Sequence, residues 1–227
     1  MKQEIFKFNF KFRSKDFFVS KNNFNAFNLI EKWPNWENKF VYVYGPKNCG
    51  KTTISRIWSE KSKAKFLNKK KILNLMNNDK NFKEIAESNW VFDNIDKVIE
   101  ENKNSFEESI LNFINILSLK KSFFFMTGEK PPRFIASKLQ DLISRLSATL
   151  VIEVKEPNQE LLMKIIKKYL KDRNISLKEK YVDFIINRIE RTYSSALNIS
   201  KLIDNKSLEK KSNISHKFLA DLLRDLY

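Results

Sequence analysis

The stretch Gly45-Pro46-Lys47-Asn48-Cys49-Gly50-Lys51-Thr52 decides how this chain folds, because it completes the pattern G-x-x-x-x-G-K-[S/T]. The 227-residue chain has only three glycines, and two of them stand here. Glycine has no Cβ and accepts positive φ, so backbone amides can approach a phosphate closely. In this pattern the lysine reaches the terminal phosphates and the Thr52 hydroxyl binds Mg²⁺. The stretch therefore predicts a nucleotide-binding phosphate loop.

The residues on both sides of the loop predict the secondary structure that the pattern requires. The run Phe40-Val41-Tyr42-Val43-Tyr44 is β-branched and aromatic, which predicts a buried strand entering the loop. After the loop, Ile54, Ile57 and Trp58 fall on one face of a predicted helix. Thr53 joins the predicted nucleotide-binding residues, because the first amides of a helix favour anions. The alternative is an ordinary strand-turn-helix unit that matches by chance.

Length, hydropathy and cysteine content limit the class of protein. A hydrophobic content of 42% over 227 residues is enough for one sizeable domain and a small one. No apolar run approaches the ~20 residues of a membrane span, and the first five residues do not resemble a signal peptide. The single cysteine, Cys49, excludes an intrachain disulfide; it is either a small filler residue or a site of oxidation. We therefore expect a cytoplasmic protein with no membrane association.

The charge of the chain permits, without requiring, contact with nucleic acid. The formal net charge is +16, and a basic surface attracts DNA or other anionic surfaces. However, the lysines are spread along the chain, and an AT-rich coding bias produces the same mixture of residues. Non-specific DNA contact and coding bias both stay open. The single histidine, His216, argues against a structural zinc site and against histidine-based catalysis.

Strands alternate with helices over the first two thirds of the chain. Further strands are predicted at residues 64–67, 89–93, 122–127 and 149–154, and helices at residues 22–33, 105–119 and 137–146. This alternation predicts an α/β fold with a parallel five-stranded sheet. After Pro157 only helical stripes follow. The predicted organisation is an extended segment at 1–15, an α/β nucleotide-binding domain at 16–156 and a small all-helical domain at 157–227.

Asp93 ends the predicted third strand and is the candidate magnesium residue outside the loop. A phosphate loop needs an acid at the end of a neighbouring strand, which holds Mg²⁺ together with Thr52. The alternative is a helix N-cap. Many hydrolytic ATPases have a second acid at the next position, but this chain has Asn94, and an amide is a poor base. Asp96 follows two residues later.

Thr127 and Arg145 are further candidates for catalysis. Thr127 closes the fourth strand, where its hydroxyl would point at the γ-phosphate region; alternatively it is a strand-end turn residue. Arg145 lies at the end of a predicted helix on the far side of the domain. It is either an ordinary surface arginine or an arginine finger that reaches a nucleotide held by a neighbouring subunit.

Four motifs outside the loop occur together in this chain. They are Asp16-Phe17-Phe18-Val19 with Asn23 and Ala26, Trp33-Pro34-Asn35-Trp36, Thr127-Gly128-Glu129-Lys130-Pro131-Pro132, and Leu142-Ile143-Ser144-Arg145-Leu146. They resemble the D-F-x-V-G-x-x-N-x-x-A, W-P-x-W, T-G-D-R-P-P and L-x-S-R-L motifs of the DnaA family of AAA+ ATPases. More narrowly, they are similar to the Hda group, the short DnaA-related regulators of replication initiation. Ser20 replaces the usual glycine of the first motif.

The resemblance implies an AAA+ fold with a helical lid, which binds ADP or ATP with Mg²⁺. Because the chain ends at Tyr227, it implies a regulator without the DNA-reading domain of DnaA. Members of the Hda group bind the sliding clamp through an N-terminal peptide and stimulate ATP hydrolysis by DnaA with their own arginine finger. DnaA and the clamp are thus the implied partners, and Arg145 is the implied finger. The implied clamp-binding residues are Gln3, Phe6 and Phe8, with a plain edge strand as the alternative.

The lid departs from the family pattern. The family has a sensor II arginine where Ser194 stands in this chain, and Arg191 or Arg188, about one and two helical turns earlier, would substitute for it. Together with Asn94, this departure implies weak intrinsic ATPase activity. Two other hypotheses stay open. One is a DNA-associated loader or remodelling ATPase that hydrolyses its own ATP, and the other is a nucleotide-stabilised adaptor without a catalytic role. Self-association into a homo-oligomer also stays open.

Overall fold

The five predicted strands form one parallel sheet. The structure, a computed structural model, describes residues 18–78, 81–102, 105–210 and 214–224. The strands are β1 (Phe40–Tyr44), β2 (Lys65–Leu67), β3 (Trp90–Phe92), β4 (Phe124–Gly128) and β5 (Leu150–Glu153). They lie in the order β2-β3-β4-β1-β5, and every neighbouring pair is parallel. The predicted α/β fold with a parallel five-stranded sheet is confirmed.

Helices connect the strands and then continue alone after β5. They are α1 (Phe24–Lys32), α2 (Lys51–Ser62), α3 (Lys69–Met76), α4 (Phe82–Glu87), α5 (Ile95–Glu101), α6 (Ser105–Ser118), α7 (Gln140–Ser147), α8 (Gln159–Lys171), α9 (Glu179–Ile186), α10 (Tyr193–Lys210) and α11 (His216–Arg224). A 3₁₀ turn at Pro132–Phe134 precedes α7. Among these described helices, none combines the length and the apolarity needed to cross a bilayer.

The start of one helix differs from the prediction, and three short helices were not predicted. The helix predicted to begin at residue 137 begins at Gln140 instead, because the Ser137 hydroxyl accepts the backbone N–H of Leu139 and holds Leu139 in an extended conformation. Helices α3, α4 and α5, which have six to eight residues each, were not predicted. Such segments are shorter than the window of about 11–18 residues in which amphipathic periodicity is recognised.

Both faces of the sheet are buried by apolar side chains. One face carries Tyr42, Phe124 and Met126 against α5, α6 and α7, and the other carries Val41 and Phe125 against α1 and α2. On the second face, the Trp58 ring stacks between Trp36 and Phe125, with ring centroids 5.3 and 5.4 Å away. Trp36, in the tryptophan motif before β1, therefore helps to pack α2 against the sheet.

The helices after β5 have a core of their own. Leu162, Ile166, Val182, Ile199 and Leu219 are fully buried together and join α8, α9, α10 and α11. The predicted change to helices alone after residue 157 is thus observed, whereas the exact domain limits stay predictions. The predicted extended segment 1–15, with Gln3, Phe6 and Phe8, lies outside the described residues.

Candidate nucleotide site

The topology of the sheet brings the predicted site residues to one edge. The loop follows β1, Asp93 follows β3, and Thr127 lies in β4, which pairs with both β1 and β3. The carboxyl ends of parallel strands meet at the same edge of a sheet, where ligands bind. In this register Val43 is opposite Thr127 and Tyr44 is opposite Gly128. Thr127 is thereby placed between the loop and Asp93.

The loop folds around its own lysine. Lys51 is 5% exposed, and its Nζ donates hydrogen bonds to the carbonyl oxygens of Gly45 and Pro46, both at 2.7 Å. Gly50 has a φ of +102°, which a residue with a side chain rarely adopts. The loop thus places an ammonium group at the start of α2, beside the helix amides that favour anions.

Cys49 is a buried member of the loop. Its side chain is 1% exposed, and its Sγ lies 3.9 Å from the Nζ of Lys51. Burial raises the pKa of the Cys49 thiol, and the nearby Lys51 opposes that rise only in part. A buried and protonated thiol reacts slowly with oxidants. This placement favours the interpretation of Cys49 as a filler residue.

Hydrogen bonds to the Asp93 carboxylate, just after β3, join α2 to β4. The Thr52 hydroxyl donates to Oδ2 of Asp93 at 2.7 Å, and the Thr127 hydroxyl donates to Oδ1 of the same carboxylate at 2.5 Å. Asn94, not Asp93, is the N-cap residue of α5, and it makes no side-chain capping bond. The alternative interpretation of Asp93 as a helix cap therefore does not hold. A hydroxyl and a carboxylate in contact supply two oxygen ligands of the kind that Mg²⁺ takes.

Thr127 lies near the end of β4, as predicted, and its hydroxyl is hydrogen-bonded within the protein. It is fully buried, and its hydroxyl also accepts the backbone N–H of Asn94 at 2.8 Å. The hydroxyl is thus directed at Asp93 and Asn94 rather than at open space beside the loop. These bonds indicate that Thr127 positions the carboxylate, and its contact with a γ-phosphate stays a prediction.

We expect Thr127→Val to lower the free energy of unfolding by about 1–3 kcal/mol. The substitution keeps the shape of the side chain but leaves the Asn94 N–H and one oxygen of Asp93 without their partner. Urea denaturation of both proteins measures the difference. Thr53→Val, at the residue directly after Thr52 in α2, is the control, because no hydrogen bond of the Thr53 hydroxyl is found within the described residues. Equal losses in both variants would contradict the positioning role.

A cavity of about 410 Å³ opens over the loop. Its volume falls within the range of small-molecule sites. It is formed by the loop, α2, the turn after β3, α5, the residue after β4 and the start of α10. The lining residues are Lys47, Asn48, Gly50, Lys51, Thr52, Thr53, Asn94, Lys97, Glu129, Tyr193, Ser194 and Leu197. Of the predicted nucleotide-binding residues, Gly45, Pro46, Cys49 and Arg191 do not line it.

Tyr193 closes the cavity on the side of the helical lid. A Cβ added at Gly50 would lie only 3.3 Å from the Tyr193 ring, and the Tyr193 backbone N–H donates to the Asn48 carbonyl at 3.3 Å. Asn23, which is 2% exposed, donates to the Tyr193 hydroxyl at 2.8 Å and to the Phe18 carbonyl at 2.9 Å. Asn23 thus joins the chain before α1 to the lid.

The predicted substitutes for a lid arginine do not reach the cavity. Arg191 is exposed and precedes α10, and Arg188 follows α9. The expectation that they stand one and two helical turns before Ser194 is wrong, because α10 begins only at Tyr193. Arg188 instead donates to the Phe184 carbonyl at 3.1 Å and stacks on the Phe184 ring. Ser194 is the residue that lines the cavity.

Arg145 stands apart from the cavity. It is exposed in the last turn of α7, and it does not line the cavity over the loop. Within the described part of the chain, its guanidinium makes no hydrogen bond or ion pair. An ordinary surface arginine paired with an acid was the alternative interpretation, and no such acid is found there. The guanidinium is therefore accessible to a group outside this chain.

Sequence reasoning missed two kinds of residue in this site. Tyr193 and Leu197, in the lid, and Lys97 and Glu129, in the α/β part, line the cavity but were not predicted as site residues. Glu129 was within reach of prediction, because it follows Thr127 in a recognised motif at the carboxyl end of a strand. Lys97 was not, because its place depends on the short helix α5.

Known proteins resemble this chain in sequence. No protein-family model matches the chain. An uncharacterized protein of Haemophilus influenzae is 23% identical over 198 residues, which cover 81% of each chain. The chromosomal replication initiator protein DnaA of Methylacidiphilum infernorum is 29% identical over 127 residues, or 55% of this chain. The match spans only 28% of that DnaA.

Solved structures share this fold over nearly the whole chain. Domain III of Thermotoga maritima DnaA has a TM-score of 0.77 at 16% identity, with 93% of this chain and 95% of that one covered. AMPPCP-bound DnaA from Aquifex aeolicus has a TM-score of 0.74 at 18% identity, with 86% and 65% covered. A RuvB variant of Thermotoga maritima has a TM-score of 0.68 at 13% identity, with 92% and 70% covered. The chain has the AAA+ fold with a helical lid, as in the DnaA domain.

Proposed function

We propose that this protein is a nucleotide-binding, DnaA-related regulator of chromosomal replication initiation. It binds ADP or ATP with Mg²⁺ in the cavity over the loop, docks on the DNA polymerase sliding clamp, and presents Arg145 to ATP held by DnaA. The observation that carries the proposal is the cavity itself, which is lined by Lys51, Thr52 and Tyr193, with Asp93 hydrogen-bonded to the Thr52 hydroxyl. The cytoplasm is the proposed location.

The residues around the cavity fit a magnesium–nucleotide complex. Lys47, Lys51 and Lys97 supply positive charge, and the amides at the start of α2 favour phosphate. Thr52 and Asp93 would hold Mg²⁺, which usually keeps several waters and takes its remaining ligands from the phosphates. The ion would neutralise the phosphate charge. Asp93 keeps its orientation through Thr127, and Tyr193 excludes water from one side of the loop.

The same site supports slow intrinsic hydrolysis. Asn94 lines the cavity at the position where a carboxylate would activate water, and Asp96 does not replace it. Asp96 is 1% exposed, and its carboxylate accepts the backbone N–H groups of Glu129 and Lys130 at 2.6 and 3.2 Å. An amide orients water but does not accept its proton. We therefore propose that the bound nucleotide mainly orders the protein and that catalysis occurs on the partner's ATP.

Lys51→Met is expected to weaken the binding of ADP and ATP by about 10- to 100-fold, since hydrogen bonds to charged groups contribute about 1.5–3 kcal/mol. Methionine keeps the length of the side chain and removes its charge. Titration of a fluorescent adenine nucleotide with Mg²⁺ measures the dissociation constants. Arg56→Met is the matched control, because Arg56 is exposed on the same helix and does not line the cavity. Similar affinities of parent and Lys51→Met would contradict nucleotide binding by this loop.

The regulatory role has its own experiment. Purified DnaA loaded with labelled ATP is mixed with DNA-loaded clamp and this protein, and the rate of hydrolysis is followed. Acceleration that needs all three components is the expected result. Hydrolysis at the rate of DnaA alone would contradict the proposal. Binding to DnaA or to the clamp without any acceleration would identify an adaptor instead.

A second candidate function is a DNA-associated loader or remodelling ATPase that hydrolyses its own ATP. The net charge of +16 favours it, because a basic surface attracts DNA. Turnover of ATP by this protein alone, with and without DNA, separates the two functions. The regulator is expected to turn over slowly in both conditions, whereas strong stimulation by DNA would favour the loader. Light scattering in the same solutions reports whether the protein self-associates.

A further inference from the structure

An ion pair forms part of the wall of the nucleotide cavity. Nζ of Lys97, in the first turn of α5, lies 2.6 Å from Oε1 of Glu129, just after β4. Both residues line the cavity, and their side chains are 40% and 23% exposed. No arginine lines the cavity in the part of the chain that the structure describes. Lys97 is therefore a lining cation carried by α5, a different element from the helix α2 that carries Lys51.

One buried carboxylate fixes the backbone of both partners. Asp96 accepts the backbone N–H of Lys97 at 2.9 Å with Oδ1 and that of Glu129 at 2.6 Å with Oδ2. Because Asp96 is almost completely buried, these bonds hold the two residues beside each other. Their side chains remain partly exposed at the cavity wall. Asp96 thus holds the backbone of both residues, whereas their paired side chains lie at the cavity surface.

The two charges act in opposite directions on an anionic ligand. A carboxylate at the cavity wall repels a phosphate group, and an ammonium at the same place attracts it. While Lys97 is paired with Glu129, each charge largely neutralises the other. We propose that Lys97 is a second phosphate-binding cation of this cavity and that Glu129 competes with the phosphate for it. The pair thereby sets the affinity for nucleotides and the preference for triphosphate over diphosphate.

This inference rests on the proposed nucleotide binding and makes two predictions of opposite sign. Lys97→Met is expected to weaken ATP binding about tenfold and ADP binding less, because Glu129 is then unpaired and the triphosphate carries more charge. Glu129→Gln is expected to tighten the binding of both nucleotides by about threefold or more, because Lys97 is then released to the phosphates. The double variant is expected to lie between the two. Titration of fluorescent ATP and ADP with Mg²⁺ measures all four proteins.

The neighbouring ion pair supplies the control. Lys130 and Glu100 are joined at 2.9 Å next to this pair but do not line the cavity. Lys130→Met makes the same change of charge and is expected to leave both dissociation constants within about twofold, since exposed ion pairs contribute little. If Lys97→Met binds like the parent, or if Glu129→Gln weakens binding as Lys97→Met does, the inference is overturned. If the parent binds neither nucleotide, the proposed function fails together with it.

Discussion

Replacing Arg145 with alanine is expected to abolish the stimulation of DnaA's ATP hydrolysis, a loss of about 10³-fold or more in the stimulated rate. Arg145 is exposed on α7, away from the chain's own cavity, and pairs with nothing in the described residues. A guanidinium that enters a neighbour's site stabilises the charge that develops on the transferred phosphoryl group. The measurement is single-turnover hydrolysis of labelled ATP by DnaA with DNA-loaded clamp.

Two further variants make the test of Arg145 specific. Arg133→Ala removes another exposed arginine, which lies 4.8 Å from the Phe134 ring, and it is expected to keep full stimulation. Arg145→Lys keeps the charge but loses the planar fork of donors, so it is expected to give an intermediate rate. Both changes are on the surface and should leave the fold intact. Full stimulation by Arg145→Ala would show that hydrolysis does not depend on this side chain.

Gly45→Ala is expected to lower the free energy of unfolding by about 3 kcal/mol or more. An added Cβ would lie 2.0 Å from the carbonyl oxygen of Val154, far inside van der Waals contact. That oxygen cannot move aside easily, because the Val154 N–H donates to the Tyr44 carbonyl at 2.7 Å and pins the end of β5 to β1. Urea denaturation measures the loss.

Gly50→Ala is the variant with which the stability loss of Gly45→Ala is compared. Its nearest obstacle is the Tyr193 ring at 3.3 Å, which is a side chain that can shift. Its φ of +102° costs a residue with a Cβ about 1–3 kcal/mol. We therefore expect Gly50→Ala to fold with a smaller loss of stability but with weaker nucleotide binding. A loss for Gly45→Ala no larger than that for Gly50→Ala would show that β5 moves away from the loop.

Local sequence was sufficient for the loop and for the strands on which it rests. The glycine spacing, the apolar run before it and the acid after β3 each depend on neighbouring residues alone. The continuous apolar run of β4 likewise predicts a strand that is buried on both faces, as observed. Thr52 and Asp93 were paired correctly because parallel strands end at one edge of their sheet.

Features that depend on distant or competing contacts could not be predicted in the same way. The positions of Arg188 and Arg191 were misjudged, because a helical period says nothing about where α10 begins. The hydrogen bonds of the Thr127 hydroxyl to Asp93 and to the Asn94 N–H were not predicted. The Lys97–Glu129 ion pair joins α5 to the residue after β4, 32 positions along the chain. Such contacts follow from the folded arrangement of short elements and leave no periodic signal.

The hydrogen bond between Asn23 and Tyr193 has a consequence for the order of folding. It joins residues 170 positions apart, and the entropy lost on closing a loop grows with its length. The strands of the sheet pair over shorter distances along the chain, whereas the lid wall of the cavity needs this more distant contact. The cavity is therefore complete only when nearly the whole chain has folded. A ligand that binds there stabilises the entire native chain by mass action, so its binding reports complete folding.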